Sequence, residues 1–139
     1  MIYEVSIILD KLAANGMPKR VKEQYLVEAV SFADAEKRAA EYIAPYVSGE
    51  VRISAIKQSN VAEVVTCDDD AADKFYKVKH SFITIDEERG LEKKQAQFII
   101  FQAASVDDAR NKYYDHVKGW LQDVLLEAVA ETNFFDYVK

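Results

Sequence analysis

The chain repeats itself, and that constrains its fold more than any other feature. Residues 3–65 resemble 76–138 at an offset of 73, widening to 74 through the middle, so the fold has to be one that can be written twice. Tyr3 and Val5 fall on Tyr76 and Val78, Gly16 on Gly90, and Lys19-Arg20 on Lys93-Lys94. The clearest stretch sets Ala29-Val30-Ser31-Phe32-Ala33-Asp34-Ala35 against Ala103-Ala104-Ser105-Val106-Asp107-Asp108-Ala109. Ala55, Asn60 and Val65 then fall on Ala128, Asn133 and Val138. The matched segments keep their order throughout, as a tandem duplication requires.

Each copy predicts the same elements. Tyr3, Val5, Ile7 and Leu9 alternate with Glu4, Ser6 and Asp10, the period of a half-buried strand. Residues 19–30 return as a second strand with Tyr25, Val27 and Ala29 on one face, and Asn15-Gly16 supplies the hairpin turn. In the second copy Tyr76, Val78, His80 and Phe82 alternate, Asp86 to Gly90 turns the chain, and Ile99, Phe101 and Ala103 bring it back. Ser31 and Ser105 each stand three residues before an acid, Asp34 or Asp108, the pattern of a serine-capped helix start. Phe32, Ala35, Ala39, Ile43, Tyr46 and Val47 make a helical stripe, matched by Val106, Ala109, Tyr113, Val117, Trp120 and Leu121. Third strands follow at about 50–57 and 123–130, and Asn60 and Asn133 read as capped starts of short terminal turns.

The fold class that follows is α+β, a tandem duplication of a strand-strand-helix-strand unit. Within a unit the third strand pairs beside the first, giving the order 2-1-3. A unit of this size is marginal alone. The expectation is therefore one compact domain over 1–139, built from repeats 3–65 and 76–138. They would share a mixed, mainly antiparallel sheet with two helices packed on one side. The acidic segment 66–75, with Asp68, Asp69, Asp70 and Asp73, is the expected linker.

Composition narrows the chemistry. Half of the 139 residues are apolar and the formal charge is -6, so there is no chain-wide cationic field for nucleic acid. A single cysteine, Cys67, excludes an intrachain disulfide and a cysteine-rich zinc site. Apolar runs such as Phe98-Ile99-Ile100-Phe101 fall far short of the roughly 20 residues of a membrane helix. Met1 to Asp10 carries Glu4 and no basic start, unlike an export signal, which predicts a cytoplasmic protein with no membrane partner.

Catalytic patterns are weak. Cys67 borders the acidic linker, which disfavours a thiolate. His80 and His116 stand where the other copy has Ile7 and Tyr42, so both read as packing histidines. The linker aspartates lack the glycine and late glutamate of a calcium loop, and the four isolated glycines form no phosphate cradle. No enzyme, cofactor or metal is expected. One charge pattern stands out: Lys19, Arg20, Lys22, Lys93 and Lys94 flank the two hairpin turns as candidate contacts to a macromolecule.

Tyr25-Leu26-Val27-Glu28-Ala29-Val30-Ser31-Phe32-Ala33-Asp34-Ala35-Glu36 resembles a domain-of-unknown-function family of small proteins from gut bacteria, their mobile elements and phages. The similarity continues through Pro45-Tyr46-Val47-Ser48-Gly49-Glu50, Ser81 to Glu88 and Glu92-Lys93-Lys94. The resemblance implies no established activity, substrate or catalytic residue. The residues themselves point to a non-enzymatic module binding another protein or a second copy of the chain. Ile8, Leu26 and Val30, with Phe98 and Ile100, fall opposite the Tyr25 and Ile99 faces and need either the other repeat or a partner to cover them. The alternative is a nucleic-acid accessory protein using the basic hairpins, disfavoured by the net charge.

Overall fold

The computed structural model describes residues 1–47 and 49–139; Ser48, within the resemblance above, lies outside the described residues. The chain is α+β, and its described residues form two helices and two mixed, mostly antiparallel sheets of four strands each. The first half runs β1 (Ile2–Leu12), β2 (Pro18–Glu28), α1 (Phe32–Ile43) with a 3-10 turn at Ala44–Tyr46, β3 (Val51–Gln58) and β4 (Val61–Val65). The second runs β5 (Lys74–Asp86), β6 (Leu91–Ala103), α2 (Val106–Val117), β7 (Val124–Glu131) and β8 (Phe134–Val138).

The order 2-1-3 appears in both halves. β1 lies between β2 and β3, and β5 between β6 and β7, all antiparallel. Asn60 and Asn133, however, precede strands rather than turns. β4 and β8 each add a fourth strand by parallel pairing, and each joins the hairpin of the other half. The sheets are thus β3-β1-β2-β8 and β4-β6-β5-β7, where a single shared sheet was expected. The chain forms two compact units, 1–60 with 133–139, and 61–132. Register shifts fall at matching places: between Ser6 and Ile7 against β3, and between Lys79 and His80 against β7.

Local chemistry accounts for the elements. Gly16 and Gly90 sit at φ of 79° and 64°, where a side chain is strained, and close the two hairpins. Ser31 accepts from the Asp34 amide and Ser105 from the Asp108 amide, both at 3.1 Å. The acids return the favour one residue upstream, accepting from the Val30 and Ala104 amides at 3.0 Å. Each is also bridged by a cation one turn on, Arg38 at 3.0 Å and Lys112 at 3.1 Å. The helix stripes are narrower than the sequence suggests. Ala35, Ala39, Ile43, Ala109 and Tyr113 are buried, whereas Phe32, Tyr46, Val106 and Leu121 are exposed, and α2 ends before Trp120.

In the first unit Tyr3, Val5, Ile7 and Leu9 pack with Tyr25, Val27 and Val138 under α1. In the second, Val78, Ile99 and Phe101 pack with Tyr113 under α2. Each such side chain contributes roughly 1.5–3 kcal/mol of burial. The segment between β4 and β5 is pinned at both ends of one side chain: Gln102 accepts from the Cys67 amide at 3.1 Å and donates to the Ala72 carbonyl at 2.9 Å. Its aspartates 68, 69, 70 and 73 face solvent.

Candidate interaction surfaces

Strand parity decides what the basic hairpins present. On β2, Lys19 shares its face with Val21 and Tyr25, beneath which α1 packs, while Arg20 and Lys22 share the opposite face with Leu26. On β6, Lys93 is on the Ile99 face and Lys94 on the Ile100 face. All five side chains are exposed, but neither arm gathers its cations on one side. Arg20 stands 3.5 Å from Asp10, and Lys94 lies near Glu127. The Glu127 carboxyl is held below its usual range, first by the Ser81 hydroxyl donating at 3.0 Å and then by Lys79 at 3.4 Å.

What the sequence reading missed is the apolar character of the arm tips. Leu12 and Met17 are 79% and 62% exposed at the end of the first hairpin, and Ile85 and Leu91 are 70% and 61% exposed at the second. The signal was available, since these residues flank the turn glycines at matching places. By contrast Leu26 and Ile100 are fully buried within the chain itself, and only Val30 of the opposite-face residues is widely exposed. Leu26 and Ile100 therefore need no external partner.

The histidines behave as packing residues. His80 is fully buried, with Nδ1 2.9 Å from the Tyr113 hydroxyl and Nε2 2.8 Å from Gln97 Oε1. His116 lies 3.0 Å from Glu63. Cys67 has its sulfur 3.4 Å from the Lys112 ammonium. Burial pulls the Lys112 pKa down, but bonds to Asp108 and Cys67 outweigh it and leave it raised. Among the described residues, no group of three or more His, Cys, Asp or Glu side chains is arranged to hold a metal.

Clefts sit at matching places in the two units, where the end of the helix meets the middle of the hairpin's second strand and the start of the added strand. The first, about 230 Å³, is lined by Lys11, Glu23, Tyr42, Ile43, Tyr46 and Phe135. The second, about 540 Å³, includes Glu63, Phe82, Gln97, Trp120 and Leu121. At sequence offsets of 74 and 73, Glu23 falls on Gln97, Tyr42 on His116, Tyr46 on Trp120 and Glu63 on Asp136. The bond from Tyr42 to Asp136 thereby has its counterpart in His116 with Glu63. In the first cleft Tyr25 donates to Glu23, Lys11 pairs with Glu23, and the Lys11 ammonium lies 4.6 Å from the centre of the Phe135 ring. Burial above all, then these acceptor carboxylates, pushes the Tyr25 and Tyr42 phenols well above the usual tyrosine range. Both stay protonated donors.

No helix among the described residues is long and apolar enough to cross a membrane. A family described as "Domain of unknown function (DUF4494)" matches residues 1–139. No curated protein and no solved structure matches the chain.

Proposed function

The chain belongs to the DUF4494 family, and from that premise we propose that it is a non-enzymatic interaction module that binds another protein, or a second copy of itself, through its hairpin tips. One observation carries this reading. Each long hairpin ends in a pair of exposed large apolar side chains, Leu12 with Met17 and Ile85 with Leu91. Large apolar groups gathered at a hairpin tip are the kind of exposed surface that marks association. Flanking cations such as Lys19 and Lys93 fit the polar rim of a protein interface. The edge strands β3 and β7, each paired on one side, offer a further route by strand addition. The resemblance seen in Tyr25 to Glu36 supports a source among gut bacteria and their mobile elements, and with it a cytoplasmic location.

Capture from lysate of the native host, alongside light scattering of the pure protein, tests the proposal. The wild type is expected to retain a specific protein or to self-associate. The variant Leu12→Ser, Met17→Ser, Ile85→Ser, Leu91→Ser should lose that association while staying folded, because exposed substitutions change stability by about 0.5 kcal/mol or less each. Undiminished association of the folded variant overturns the reading.

A further inference from the structure

The cleft at the end of α1 combines features that recognise organic cations. Phe135, Tyr42 and Tyr46 surround it with ring faces and edges; Tyr42 lies 5.6 Å from Tyr25 and 5.9 Å from Tyr46, and Tyr25 lies 5.6 Å from Phe135. Two carboxylates are fixed beside the rings: Glu23 accepts from Tyr25, and Asp136 accepts from Tyr42 and, at 2.8 Å, from the Tyr137 amide. The lining itself holds one carboxylate, Glu23, and one ammonium, that of Lys11, while Asp136 is bonded to the lining Tyr42. Its position shows what the cleft accepts, since the nitrogen lies 4.6 Å from the Phe135 ring centre and pairs with Glu23. Attraction of a cation to an aromatic face is strongest where the cation is also desolvated. The Lys11 side chain is 44% exposed and Glu23 only 9%, so the lysine can swing out to solvent while the carboxylate stays in place.

We propose that this cleft binds an organic ammonium ion, with Lys11 as a built-in occupant that the ligand displaces. The group is carried by a small molecule or by a methylated lysine side chain, since the rings and the carboxylate recognise the charge and its methyl shell alike. This does not depend on the hairpin-tip reading, because none of the tip residues lines the cleft. The matching cleft of the other half serves as an internal contrast. It places Gln97 where Glu23 stands and Ala62 where Phe135 stands, and the one carboxylate of its lining, Glu63, is taken up by His116 beside Phe82 and Trp120.

The test is an NMR titration of the full chain with tetramethylammonium, choline and Nα-acetyl-Nε-trimethyllysine amide, with sodium at equal ionic strength as control. Saturable shifts are expected at Tyr42, Tyr46 and Phe135, with none from sodium and none at Trp120. Lys11→Met should bind the ammonium probes about threefold to tenfold more tightly by removing the competing ammonium, and Glu23→Gln in that background should weaken them by a similar factor. Stronger binding of the trimethyllysine amide than of choline assigns a side-chain ligand, and the reverse order a small molecule. Should Phe135→Ala prove unfolded by circular dichroism, Tyr46→Ala replaces it, and either is expected to abolish binding. The proposal is overturned if Lys11→Met shows no saturable shift up to about 50 mM probe, or if it binds more weakly than wild type.

Discussion

Ser31 and Ser105 each hold an amide that the first turn of their helix leaves without a partner, and each is answered by an acid bridged to a cation one turn further on. Replacing either serine by alanine should cost about 1 kcal/mol in a denaturant titration while leaving association unchanged. The acids add a pH dependence of definite sign. Asp34 and Asp108 titrate below the ordinary 3.8 in the folded protein, first because the Val30 and Ala104 amides donate to them. A depressed carboxyl gives stability that is complete above its unfolded value and is lost as pH falls through its folded value. Thermal melts from neutral pH down to acid should therefore show a loss beginning below about pH 4. The double variant Asp34→Asn, Asp108→Asn should show a shallower one. An identical acid limb in the variant would assign the loss to other groups. Tyr113 makes a third case: Tyr113→Phe strips buried His80 of its Nδ1 partner, and should cost about 1–3 kcal/mol, read from the same denaturant titration.

β4 and β8 are the elements that tie each unit to the far half of the sequence. β8 reaches unit 1 after the chain has built all of 61–132, and it seals the edge of β2 along Gln24–Val27. Its side chains carry Asp136 to Tyr42 and Tyr137 to Glu28. Removing 134–139 should raise amide exchange in β2 well above that in β1, which keeps β2 and β3 as neighbours; equal protection in both strands would show that β8 contributes little. These strands also mark where the sequence stopped being legible. Alternation in Tyr3 to Leu9 and serine caps at 31 and 105 read through directly, because local period and capping chemistry are written in neighbouring residues. Val61 to Val65 and Phe134 to Val138 span only five residues each, too few for a period to declare itself, and their partners lie far along the chain. An asparagine ahead of each invited a cap reading instead. The first cleft was hidden for the same reason, since Phe135 and Asp136 arrive on β8. Nothing in the sequence joined Tyr42 to Asp136 or His116 to Glu63, since each bond links residues of opposite repeats, far apart along the chain.

Charge over the whole molecule sets the last expectation. A polyanion approaching the chain meets a net charge of -6, and the five candidate cations do not form a continuous basic face on either arm, because alternation sends Lys19 and Lys93 to one side of their strands and Arg20, Lys22 and Lys94 to the other. Nucleic-acid binding draws its affinity from several phosphates neutralised together, with a salt slope that grows with their number. One or two of these candidate cations per face give a shallow slope and little affinity, and at physiological salt screening beyond about 8 Å prevents distant cations from adding to them. A gel-shift titration with a short duplex and a short single strand at moderate salt should accordingly show no retained complex. Lys19→Glu with Arg20→Glu should change nothing in that assay. Retention that falls steeply with added salt, and that this double reversal abolishes, would instead make the hairpins a phosphate-binding device and displace the protein-partner reading.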